Sequence, residues 1–151
     1  MNAFGTIFKG VIAGFVATSV LSALMLSKQW LPQLDTIIVM DGVAHAMAMA
    51  FGLPTPFAGW FWHFVIGCIV WGWMYAIMEP ILPGGRPWRK GLYFGFTTTL
   101  LVWLIVLPLA GAGLFGIQLS AVQPFVALLQ HLVYGVVLGV VYASLAHGQD
   151  N

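Results

Sequence analysis

Four long apolar runs constrain this chain more than any other feature it has. They extend from about Phe4 to Leu26, Phe57 to Met78, Gly91 to Leu107 and Val122 to Ala146. A helix needs about 20 apolar residues to cross about 30 Å of hydrocarbon. Backbone polar groups in lipid must be satisfied inside the segment. The expected fold is therefore an all-α membrane protein with four transmembrane helices, residues 1–151 forming a single membrane domain.

The scarcity of charge agrees. Hydrophobic residues make up 61% of the chain and charged residues 6%, where soluble domains carry about 25%. A net charge of +1 offers nothing to a nucleic acid, so lipid is the partner expected first. The lone Cys68 excludes an internal disulfide and a CxxC site. No Ser-His-carboxylate set, acid pair or HExxH motif appears, so no catalysed reaction is expected. The first run is longer than a secretory signal core and has no clear cleavage site, so it is read as a span.

Positive residues mark the cytoplasmic side of a membrane protein. Lys9 precedes the first run, and Arg86, Arg89 and Lys90 fill the second connection, against Lys28 alone on the other side. Both termini are therefore expected in the cytoplasm, with loops 28–56 and 108–121 outside, in a multi-pass protein of a bacterial inner membrane.

The chain also repeats itself. Lys9-Gly10, Gly14-Phe15 and Thr18 recur as Lys90-Gly91, Gly95-Phe96 and Thr99, and His63, Val65 and Gly67 recur as His131, Val133 and Gly135. Such self-similarity predicts a duplicated two-helix unit, about 4–79 and 86–147. Gly10, Gly14, Gly67, Gly91, Gly95, Gly135 and Gly139 form small-residue stripes at helical spacing, which in lipid mark faces where helices pack closely.

That packing would bring His63 and His131 inward at similar depth. An ionisable residue inside a membrane is by default a functional-site hypothesis. Three roles follow. Each ring can bond a carbonyl or a hydroxyl such as Thr18, Ser19, Thr97 or Thr99. The pair can supply the axial ligands of a haem b. Or the imidazoles can relay protons in a small transporter.

The external loops carry two further features. Asp35 caps an expected interfacial helix in the first loop, on which Asp41 and His45 share a face. His45, Met47 and Met49 are of the ligand types that suit Cu(I). The second loop, PLAGAGLFGIQLSAVQ, has no charge. It either folds into the bundle mouth or is covered by another polypeptide.

The segments GWFWHFVIG, LPGGRPWRKG, LPLAGAGLFG and HLVYGVVLGVVY resemble a family of small bacterial inner-membrane proteins of unknown function. The resemblance spans nearly the whole chain and implies a four-helix membrane fold. It implies no activity, cofactor or site residue. The expected function is a non-catalytic accessory subunit of a larger membrane complex, respiratory or electron-transferring in kind. A haem b module on His63 and His131, or a small transporter, are the alternatives.

Overall fold

A computed structural model describes residues 3–26, 56–109 and 111–147. Its described residues are helical, with no strand among them. Helix α1 is Ala3–Leu26. Helix α2 (residues 56–78) is continuous but changes pitch, with a π-helical segment, Val65–Trp71, between α-helical Pro56–Phe64 and Gly72–Met78. Helix α3, Pro87–Leu109, has a second π segment at Val102–Val106. Helix α4 is Gln123–His147. All four are long and apolar enough to cross a membrane. The third starts four residues earlier than its apolar run because Pro87 fits the first helical position, where its missing N–H costs nothing, after an extended Arg86 (φ −116°, ψ 141°).

Glycines set how the helices meet. A Cβ on Gly10 would strike the Gly72 carbonyl, and one on Gly14 would lie 2.8 Å from the Gly67 and Cys68 carbonyls. Those contacts lay α1 antiparallel on α2. On the other hairpin, a Cβ on Gly91 would strike the Gly135 carbonyl, on Gly95 the His131 carbonyl, and on Gly139 the Pro87 carbonyl at 2.5 Å. Backbones this close allow dispersion contacts that any larger residue would break. Helices α1 and α4 also pack together and join the two hairpins. The start of α1, the end of α4 and the 79–86 connection thus share one end of the bundle, called here the Lys90 end.

The two hairpins are not in the same register. Gly72 lies roughly two and a half turns past His63, whereas Gly135 lies roughly one turn past His131. The sequence match of Gly67 with Gly135 is therefore not the packing match, and the π segment of α2 falls within the shifted stretch.

Toward the Lys90 end the bundle is solid. Tyr75, Phe94 and Leu138 are fully buried, with Tyr75 edge-on to Phe94 (5.2 Å) and to Tyr142 (5.5 Å). Lys90 closes this end, its Nζ donating to the Glu79 carboxylate (2.7 Å) and the Glu79 carbonyl (3.0 Å). At the opposite end, residues 111–122 fold onto the bundle mouth. The Ala112 N–H donates to the Leu107 carbonyl (2.9 Å), and Ala112 and Gly116 are buried. Gly111, Gly113 and Gly116 take positive φ, and so does Phe115 (φ 60°), a conformation disfavoured for a residue with a Cβ. Its ring rests on Trp103 at 5.4 Å.

Candidate functional site

Above the solid half, the four helices part around a chamber of about 140 Å³. An apolar cavity of about 150 Å³ holds one benzene ring, so the space is that of a single ring. Leu21, Met25, Ile66, Trp71, Val102 and Leu107 supply most of its wall. Among the described residues six polar ones also face it, Thr18, His63, Gln123, Gln130, His131 and Tyr134, and none that lines it is charged.

His63 and His131 thus face one space, from α2 and α4. Two contacts show how those helices run. The Tyr134 hydroxyl donates to the Gly67 carbonyl at 2.5 Å, 67 residues apart in sequence. The edge-on pair Tyr75 and Tyr142 has the same separation. A constant difference, rather than a constant sum, means parallel helices. It sets His63 level with Gln130 and one residue short of His131. The imidazoles are level in the bundle although they stand at different places within their hairpins.

Each ring has a distinct environment. His131 Nδ1 lies 2.7 Å from the Ala127 carbonyl. That nitrogen is the donor, which leaves Nε2 as an acceptor. His63 packs edge-on against Trp60 (5.8 Å) and Phe64 (6.0 Å), and its Nε2 is buried without a partner. The Oε1 of Gln123, a residue only 4% exposed, is likewise unpartnered. Thr18 Oγ1 has no hydrogen bond of good geometry but lies against Cys68 and Tyr134.

The hydroxyls that sequence reasoning offered to the histidines are engaged elsewhere. Ser19 donates to the Phe15 carbonyl (2.8 Å), Thr97 to Tyr93 (2.9 Å) and Thr99 to Gly95 (2.7 Å). Each bond stays within its own helix. The bond that links helices is Tyr134 to Gly67, and it uses a backbone carbonyl. In a π segment carbonyls pair five residues ahead instead of four, which leaves a carbonyl free to bond elsewhere.

Haem b does not fit between these rings. A chamber the size of one benzene ring has no room for a macrocycle of four pyrroles. Among the described residues no cation lines it to meet propionates, since Arg86, Arg89 and Lys90 belong to the far end. His45, Met47 and Met49, and the expected interfacial helix around Asp35, lie outside the described residues. Among the described residues no group of three or more His, Cys, Asp or Glu is placed to hold a metal.

Sequence reasoning singled out His131 but did not join it to the α4 stripe that builds this site. Gln123, Ala127, Gln130, His131 and Tyr134 recur at helical spacing and all line the chamber. The periodicity was visible in the chain. Both π segments, by contrast, leave no signature in composition.

A family model described as "Family of unknown function (DUF6789)" matches residues 4–151. No curated protein and no solved structure matches the chain.

Proposed function

We propose that this chain, which belongs to the family of unknown function DUF6789, is a non-catalytic membrane protein that holds a small uncharged ligand between its four helices. The observation that carries this is the pair of unpartnered atoms, His63 Nε2 and Gln123 Oε1, beside an apolar space. Leaving a buried polar atom unpaired costs about 1–3 kcal/mol. A ligand that bonds both atoms offsets that cost, and side chains filling the space would avoid it altogether. The described lining carries no charge, which favours a neutral ligand, because a bare ion in low dielectric is expensive to bury.

Native mass spectrometry of the protein extracted in mild detergent tests this. The wild type should carry a small non-covalent mass that Ala127→Phe, which fills the chamber, removes. Identical masses on both proteins would count against a ligand chamber.

The same proposal sets the Lys90 end in the cytoplasm of a bacterial inner membrane, with both termini there, because Arg86, Arg89 and Lys90 gather at that end. It derives the two hairpins from one duplicated unit, a reading that the recurrence of Lys9-Gly10 and Gly14-Phe15 as Lys90-Gly91 and Gly95-Phe96 supports.

A second reading, an accessory subunit of a larger membrane complex, is favoured by the mouth of the chamber. Leu109, Leu114, Ile117 and Phe125 remain exposed there, Leu109 by 81%, although the loop folds onto the bundle. Exposed apolar patches of this kind mark interfaces. Native electrophoresis after mild extraction should then show comigration with larger subunits. Recovery only at the mass of the free chain would argue against the subunit.

A further inference from the structure

The geometry points to a ligand class, an inference that rests on the chamber being a ligand site: a single-ring quinol-type head group, admitted from the lipid between α2 and α3. Three observations converge on it. The space is about that of one six-membered ring and is not fully enclosed, so substituents and a tail can extend beyond it. Its described walls are mostly apolar and carry no charge, which suits a lipid-soluble molecule rather than an ion or a sugar. Its hydrogen-bonding atoms stand on opposite walls, His63 Nε2 on α2, and Gln123 Oε1 with His131 on α4. A ring with oxygens at both ends spans those walls.

The protonation of the α4 wall favours hydroxyls over carbonyls. His131 gives its Nδ1 hydrogen to the Ala127 carbonyl, so its Nε2 accepts. Gln123 Oε1 accepts as well, although its amide turned over would offer an N–H, so the preference rests on His131. A ring O–H satisfies such atoms, whereas a ring carbonyl meets an acceptor with another acceptor. His63 Nε2 serves either partner, according to which ring nitrogen holds its proton.

The entry route follows from where the helices part. Helices α2 and α3 meet near the Lys90 end, where Phe94 packs against Trp71 (6.4 Å) and Tyr75 (5.2 Å). The chamber is not fully enclosed. Among the described residues Ile66 and Val102 are half-buried there and Val106 is exposed. A molecule dissolved in the bilayer reaches the ring site sideways, without crossing a polar surface.

Binding to nanodisc-embedded protein tests the class, with decylubiquinol and decylbenzene as probes that share a tail. Quenching of tryptophan fluorescence reports occupancy, since Trp71 lines the chamber, and a thermal melt checks that each variant is folded. Decylubiquinol should bind saturably and at least about tenfold more tightly than decylbenzene, the effect of one or two net hydrogen bonds. Gln123→Leu and His131→Leu should each remove most of that preference, and Ala127→Phe should abolish binding of both probes. Equal binding of the two probes, both lost in Ala127→Phe, would overturn the quinol class and leave a chamber for apolar ligands. A quinol preference that survives both leucine variants would place the binding elsewhere and overturn the inference. Failure of either probe to bind in any way sensitive to Ala127→Phe would overturn the chamber proposal as well.

Discussion

The Tyr134 hydroxyl donates to the Gly67 carbonyl at 2.5 Å, tying α4 to the π segment of α2. This bond joins the two hairpins directly beside the chamber, which both residues line. Its loss leaves the Gly67 carbonyl without that donor in a setting water scarcely reaches. Tyr134→Phe removes the donor while keeping the ring. It should destabilise the protein by about 0.5–2 kcal/mol, the range of interhelical hydrogen bonds in membranes. Reversible unfolding in mixed micelles measures it.

The glycine clasp of α3 on α4 makes a sharper prediction. A Cβ at Gly91 would collide with the Gly135 backbone, which cannot rotate aside. Gly91→Ala should cost about 1–3 kcal/mol as an overpacked contact. Gly85→Ala, at a position with nothing within 4 Å of the added atom, should change stability by less than about 0.5 kcal/mol. The difference in melting temperature between the two variants is the readout.

Lys90 and Glu79 form an ion pair at 2.7 Å, with side chains 21% and 30% exposed. Pairs this accessible to water are screened, and their coupling is typically about 0–1 kcal/mol. A double-mutant cycle with Glu79→Gln and Lys90→Met should return a coupling in that range and shrink as salt is raised. A larger, salt-independent coupling would mean that the pair is desolvated in the membrane-bound protein.

Titration with hemin should produce no six-coordinate bis-imidazole spectrum. The chamber holds one ring's volume, so opening it for a porphyrin would require the hairpins to separate. A visible spectrum lost in both His63→Ala and His131→Ala would contradict this.

Orientation is open to labelling. Cys68, the single cysteine of the chain, is buried, so Cys68→Ala provides a quiet background. Arg86→Cys in that background lies at an exposed position of the Lys90 end. An impermeant maleimide should label it only after the cytoplasmic membrane is opened. Labelling in intact cells would reverse the proposed orientation.

The four crossings and the glycine stripes were legible in the chain because they depend on one-dimensional quantities. Length and hydropathy decide whether a helix can span lipid, and spacing decides which residues share a face. The scarcity of charge excluded a soluble fold for the same reason. His63 and His131 were also identifiable in advance, since an ionisable group in an apolar run has to be explained.

What lies between those histidines was decided only by the tertiary structure. Their level in the bundle depends on how far one hairpin slides along the other, which the Tyr134–Gly67 and Tyr75–Tyr142 contacts determine. The π segments at Val65–Trp71 and Val102–Val106 are a backbone response to packing that no single residue dictates. The size of the chamber is what remains after four helices have been packed, a sum of contacts that neither composition nor periodicity contains.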